Sequence, residues 1–241
     1  FLTDGGIETT LIFHRGLDLP DFAAFDLFER PGGEGELEAY FRSYADLARK
    51  HGTGLVLESA TWRANPDWGA RLGYDSDRLE RANLRAVALL ERLRREYAPT
   101  TGPIVVSGCV GPRGDGYVPA NAMRVAEAEE YHAAQITTFG RAGVDLVDLV
   151  TAITMNYSAE AIGVARAARR VGLPAVISFT VETDGRLPTG DALGDAIEAV
   201  DSATAASPAY YMINCAHPSH FADTLRPGGA WTSRIRGLRA N

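Results

Sequence analysis

Cysteine is scarce in this chain: Cys109 and Cys215 are the only two in 241 residues. Thiols so few and so far apart do not form the disulfide framework of a secreted domain, so each is either a free thiol or a metal ligand. Long apolar runs are missing too, with none approaching the ~20 residues that span a bilayer, and no basic-then-apolar leader precedes Phe1. A cytoplasmic protein without a membrane partner is expected. Positive charge is in the minority, with 24 Lys and Arg against 31 Asp and Glu, a net charge of −7. Binding a phosphate backbone requires a basic surface that displaces counterions, which excludes nucleic acid as the expected partner. Flexible and low-complexity stretches are absent, so residues 1–241 read as a single domain. Nor does a Gly-x-Gly-x-x-Gly turn follow the first strand candidate, where the sequence runs Asp4-Gly5-Gly6-Ile7-Glu8-Thr9. This counts against a doubly wound dinucleotide-binding sheet.

What is present is an alternation of short apolar runs with longer amphipathic segments, and a hydrophobic content of 46% large enough for a core. Residues 1–4, 54–60, 104–110, 144–153, 175–181 and 210–216 read as strands buried on both faces, the first of them a fragment broken at Gly5-Gly6. Between them, residues 34–51, 77–97, 125–142, 158–171 and 192–206 carry helical periodicity. Arg78, Arg81, Arg85, Arg92, Arg94 and Arg95, interleaved with Glu80, Glu91 and Glu96, mark a solvated helix face. A β-then-α repeat throughout predicts a (β/α)8 TIM barrel. Six strands are clear and residues 234–239 offer a seventh, so the barrel is expected to lack its C-terminal strand or strands. Within the fourth strand candidate, Asp145-Leu146-Val147 is followed at once by Asp148-Leu149-Val150. The extra residues must be absorbed in a bulge or in the preceding loop, because an odd shift turns every side chain to the other face.

Barrel active sites lie on the loops that follow the strands. The polar residues there are Asp4 with Gly5 and Gly6; Glu58, Ser59, Thr61, Trp62 and Arg63; Cys109 with the glycine-rich loop 111–117; Thr151 and Thr154; Glu182 and Asp184; and Asn214, Cys215, His217 and His220. Cys109 sits within an apolar strand and reads as packing. Hydroxyls such as Ser59 and Thr61 serve either a ligand or the backbone. Trp62 and Tyr117 are either lid aromatics or packing. His217-Pro218-Ser219-His220 is either a metal pair beside Cys215 or a helix start.

Five stretches in register carry a resemblance: Leu2-Thr3-Asp4-Gly5-Gly6, the run Leu57-Glu58-Ser59-Ala60-Thr61-Trp62-Arg63-Ala64-Asn65, Gly111-Pro112-Arg113-Gly114-Asp115-Gly116-Tyr117, Ser178-Phe179-Thr180-Val181-Glu182, and Ile213-Asn214-Cys215. Together the chain resembles the homocysteine S-methyltransferase family. The resemblance implies a zinc-dependent barrel that moves a methyl group from S-adenosylmethionine or S-methylmethionine to the thiol of homocysteine or a similar small thiol. It makes Cys215 the first zinc ligand. It places Asp4, Gly5, Gly6, Ser59, Thr61 and Asn214 in the amino-acid pocket, with Asp4 toward the amino group. The family's remaining two ligands are adjacent cysteines that would fall beyond Asn241. Its glutamate on the fourth strand is replaced here by Ile153, so that either Glu58 or Glu182 supplies the carboxylate from a neighbouring strand or the acceptor is a thiol without an α-amino group.

The chemistry behind that implication is methyl transfer to sulfur, which requires a thiolate. A free thiol with a pKa of about 8.5 is mostly protonated at neutral pH, whereas zinc coordination deprotonates it. Two readings from other classes accompany it: a metal-dependent hydrolase using Cys215, His217 and His220, and a non-catalytic barrel that binds an amino acid or thiol.

Overall fold

A computed structural model of the chain describes residues 1–119, 122–143 and 146–240. In chain order its main elements are β1 (Leu2–Thr3), α1 (Gly33–His51), β2 (Leu55–Glu58), α2 (Ser76–Tyr97), β3 (Ile104–Val110), α3 (Val125–Ala142), β4 (Leu149–Met155), α4 (Ser158–Arg170), β5 (Ala175–Phe179), α5 (Leu193–Thr204), β6 (Tyr210–Asn214), α6 (Pro218–Leu225) and β7 (Ile235–Arg239). The chain divides into two compact units, Phe1–Val110 with Thr138–Leu149, and Gly111–Thr137 with Val150–Asn241.

In the first unit β1 pairs with β2 and β2 with β3, both parallel, with Leu55 opposite Leu2 and Ile104. The helices obey their end signals. α1 carries Glu34 and Glu36 in its first turn and Arg49, Lys50 and His51 in its last, matching the helix dipole, and stops at Gly52 in the left-handed region (φ 60°). α2 starts where the Asp75 carboxylate accepts the Arg78 N–H. Their apolar faces, among them Leu37, Phe41, Leu90 and Leu93, form one buried cluster with Leu55, Leu57 and Val106 of the sheet. The arginine-rich face of α2 is solvated at Arg81, Arg85, Arg92, Arg95 and Glu96, as the periodicity predicts, but Glu91 is buried, held by ion pairs to Arg94 and Arg95, which corrects the expectation there. Arg92 pairs with Glu34 and Glu38 of α1, and Arg42 of α1 pairs back to Glu96. Such half-exposed pairs contribute roughly 0–1 kcal/mol each. A short helix, Pro66–Arg71, has no counterpart in the sequence reading. Its start is set by the Asn65 side chain, which accepts the Trp68 N–H, and by Pro66 in the first turn.

In the second unit β4, β5, β6 and β7 pair in succession, each pair parallel. Gly163 lets α4 approach α3: a Cβ there would stand 2.5 Å from the Ala128 Cβ and 2.6 Å from the Glu129 nitrogen.

The seven strands follow one another in the sheet in chain order, β1 to β7. A doubly wound sheet would reverse direction at a switch point. This succession is that of a (β/α)8 barrel with seven of its strands, which are parallel in every pairing given above. The seventh strand candidate is real, as β7. Among the described residues no helix is long and apolar enough to cross a membrane.

The fourth strand differs from expectation. Val144 and Asp145, where it was predicted to begin, lie outside the described residues, and β4 starts at Leu149. Of the first Asp-Leu-Val copy, the described Leu146 and Val147 both donate to the Gly143 carbonyl, in a turn ahead of the strand. Asp148 of the second copy accepts the Val106 N–H at 2.8 Å and pairs with Arg94 at 2.6 Å. Downstream, the register shifts between Ala152 and Met155, with Thr154 at φ 65°. A turn and a bulge thus share the extra residues.

Candidate active site

At the end of β1, Asp4 is buried (2% exposed). The Tyr40 hydroxyl of α1 lies 2.9 Å from the Gly5 carbonyl, to which it donates, and 3.4 Å from Asp4 Oδ2. A Cβ at Gly5 would stand 2.5 Å from the Tyr44 hydroxyl, which would have to shift to admit it. Gly6 is exposed and precedes the short helix Ile7–Thr9. A carboxylate is therefore held at a strand end beside two residues that let a ligand reach the backbone.

Glu58 closes β2, buried and opposite Ser107 of β3. Just beyond it, Ser59 and Thr61 are tied to the backbone of Cys109. The Cys109 N–H donates to Ser59 Oγ at 2.9 Å and Thr61 Oγ1 donates to the Cys109 carbonyl at 2.7 Å, while the two hydroxyls lie 2.7 Å apart. With the Thr61 hydrogen on that carbonyl, the Ser59 hydrogen goes to Thr61 Oγ1. These hydroxyls join the ends of β2 and β3, and Cys109, buried between them, packs as its apolar surroundings predict. Beside them the Arg63 guanidinium lies over two indole rings, 4.0 Å from the Trp62 centroid and 3.9 Å from the Trp68 centroid. Trp62 is thus a stacking partner of a buried arginine. The spacing of Trp62, Arg63 and Trp68 was the sequence signal for it, and it went unread.

In the second unit Asn214 ends β6, fully buried, and Cys215 follows, half-buried, free and in the left-handed region at φ 52°. Asn214 Oδ1 accepts the Thr154 N–H at 3.0 Å and the Ser178 hydroxyl at 2.6 Å, and its Nδ2 donates to Thr154 Oγ1 at 2.9 Å. The Cys215 N–H donates to the Arg239 carbonyl of β7 at 3.1 Å. Ile153 is buried beside Thr154 in β4. Glu182 is exposed on a turn closed by the Gly185 N–H to its carbonyl.

The two histidines resolve toward the helix start. His217 is the N-cap of α6, its Nδ1 accepting the Ser219 N–H at 3.2 Å. Among the described residues no group of three His, Cys, Asp or Glu side chains is placed to hold a metal ion.

The loop after β3 is anchored by residues that sequence reasoning passed over. Glu160 of α4 accepts the Arg113 N–H at 2.8 Å and meets His132 of α3 at 2.9 Å. The Tyr157 hydroxyl accepts the Met123 N–H at 3.1 Å. Burial, and then the nearby Glu160 charge, push the Tyr157 phenol well above its ordinary pKa. A glutamate inside the apolar run Ala159-Glu160-Ala161-Ile162 was the available signal, since a buried acid needs a partner. Tyr117 of this loop is exposed.

The family model described as homocysteine S-methyltransferase matches residues 1–236. Among solved structures, the metallated form of the homocysteine methyltransferase MmuM from Escherichia coli aligns with 100% of this chain and 92% of its own, at 20% identity and a TM-score of 0.74. The oxidised form of the same protein aligns with 100% of this chain and 91% of its own, at 22% identity and a TM-score of 0.74. At such identities these likenesses show the fold. No curated protein matched the sequence.

Proposed function

Because the chain belongs to the homocysteine S-methyltransferase family, and is thus an enzyme of methyl transfer to the homocysteine thiol, we propose that Cys215 is its sulfur ligand at the reacting thiol. We propose also that Asp4 receives the homocysteine amino group. The observation that carries this reading is the family match over residues 1–236. The half-buried free thiol directly after β6, at a strand end, agrees with it.

A three-thiolate zinc site does not fit residues 1–241. Cys109 is buried in β3, leaving Cys215 as one thiolate donor where a structural or catalytic zinc takes three or four protein ligands. The proposal gives Cys215 the part of a single ligand.

In the reaction the homocysteine sulfur bonds to the methyl carbon as the donor's sulfur–methyl bond breaks. The thiol proton is lost and the donor departs as a neutral thioether. What this chain contributes is placement, which accounts for much of the barrier in reactions of two bound partners. The Asp4 carboxylate offers a charge-assisted hydrogen bond to the ammonium group, and a Gly5 or Gly6 amide faces the carboxylate end. Ser59, Thr61 and Glu58 shape the wall at the ends of β2 and β3. We propose a sulfonium donor, S-adenosylmethionine or S-methylmethionine.

The test supplies the complete protein with homocysteine and each donor carrying a deuterated methyl group, and follows methionine by mass spectrometry. Labelled methionine from one donor or both is expected. No labelled methionine from either overturns the proposal.

A further inference from the structure

Asn214 was expected to touch the substrate, but its side chain is fully enclosed and turned toward two other strands. The pattern of bonds fixes which end is which, since only the amide oxygen can accept the Thr154 N–H and only the nitrogen can donate to the Thr154 hydroxyl. With Ser178 also donating to the oxygen, one amide ties the end of β6 to the ends of β4 and β5. Both backbone positions served by this clamp have unusual geometry: Thr154 at φ 65° and Cys215 at φ 52°. A side chain with a Cβ is disfavoured in the left-handed region and stays there when its surroundings over-determine it. For Cys215 those surroundings are the Arg239 carbonyl, which holds its N–H, and the clamped residue immediately before it.

We infer that Asn214 is a positioning residue: by clamping Thr154 and Ser178 it keeps Cys215 in the left-handed conformation and so sets the direction of the thiol. In an extended conformation the Cα–Cβ bond of Cys215 would point elsewhere, and the sulfur with it. The inference rests on the reading of Cys215 as the reacting-site ligand, yet it can be read from the thiol itself. Ser178 lies on another strand, and its hydroxyl is bonded to this amide.

The experiment measures alkylation of Cys215 by iodoacetamide in the complete, metal-free protein at one fixed pH, resolved by peptide mass spectrometry. Buried Cys109 serves as the internal control for an intact fold. Loss of one clamp bond in Ser178→Ala is expected to raise the Cys215 rate about fivefold, the population change that one net hydrogen bond represents. Asn214→Leu should raise it more than about tenfold, since all three bonds go. Asn214→Asp keeps an acceptor for the Thr154 N–H and for Ser178, and the Thr154 hydroxyl can turn to donate to it. Its rate should stay within about twofold of the native rate. Adding Ser178→Ala to Asn214→Leu should change nothing further.

In methyl transfer, Asn214→Leu should lower kcat with little change in the homocysteine KM. Should Asn214→Leu not fold, Ser178→Ala and Asn214→Asp carry the test. Equal alkylation rates in native protein and Ser178→Ala overturn the inference, as does a raised homocysteine KM with unchanged alkylation in either Asn214 variant. If the native protein transfers no methyl group but alkylation responds as described, the proposed function fails and the positioning role stands.

Discussion

His132 of α3 and Glu160 of α4 meet at 2.9 Å with both side chains essentially closed to solvent. The same glutamate oxygen takes the Arg113 N–H, so this buried pair carries the loop that follows β3. Removing the histidine takes from the buried Glu160 carboxyl one of its hydrogen-bond partners and leaves a cavity, which is costly whether or not the histidine is charged. His132→Ala is expected to lower stability by roughly 2–4 kcal/mol in urea titration. The loop 111–119 should also become more sensitive to limited proteolysis. A loss under about 0.5 kcal/mol, the range of an ordinary surface change, would show that the pair does not support the loop.

A second expectation concerns acid. Hydrogen bonds from Arg42 and then Arg92 hold the Glu38 carboxyl below its ordinary pKa. A depressed folded-state value means that the unfolded chain binds the proton more readily. The contribution is therefore fully present above the ordinary carboxylate value and is lost as pH falls through the folded one. Glu38→Gln should lower the Tm near neutral pH by an amount worth about 0.5–1 kcal/mol, given how exposed the pair is. The gap between variant and native Tm should close as pH falls below about 4. A gap that persists or widens in acid would contradict the electrostatic account.

Much of this architecture is legible in local sequence, because helix ends and buried strands are written in neighbouring residues. The helix predicted at residues 125–142 is Val125–Ala142, and that predicted at 34–51 differs from Gly33–His51 by one residue. The start of β4 was not legible, since Asp145-Leu146-Val147 and Asp148-Leu149-Val150 are locally the same. What distinguishes them is Asp148 meeting Val106 and Arg94, 42 and 54 residues away. The candidate site divides in the same way. Cys215 and Asp4 are marked by their places at strand ends. The clamp of Asn214 on Thr154 spans 60 residues and the Glu160 pairing with His132 spans 28, and no periodicity reports such contacts. For Ser59 and Thr61 both uses of a hydroxyl were open, and only the neighbouring strand shows that Cys109 takes them.

If Asp4 receives the amino group, its charge matters more than its shape. Asp4→Asn keeps a similar volume and an acceptor while removing the negative charge, and should raise the homocysteine KM about tenfold or more, the size of one charge-assisted hydrogen bond. KM for a thiol without an amino group, such as 4-mercaptobutanoate, should move little. An unchanged homocysteine KM would place the amino group elsewhere.

The most direct test of the account is the rate of labelled-methionine formation by the complete protein carrying Cys215→Ser. Serine keeps the size and the half-buried position but lacks the sulfur, so the fold should survive with an unaltered melting curve. Methyl transfer should fall by at least about a thousandfold, a loss of about 4 kcal/mol in transition-state stabilisation. Transfer at the native rate by a folded Cys215→Ser protein would contradict the account, because the sulfur at the end of β6 would then have no part in the reaction.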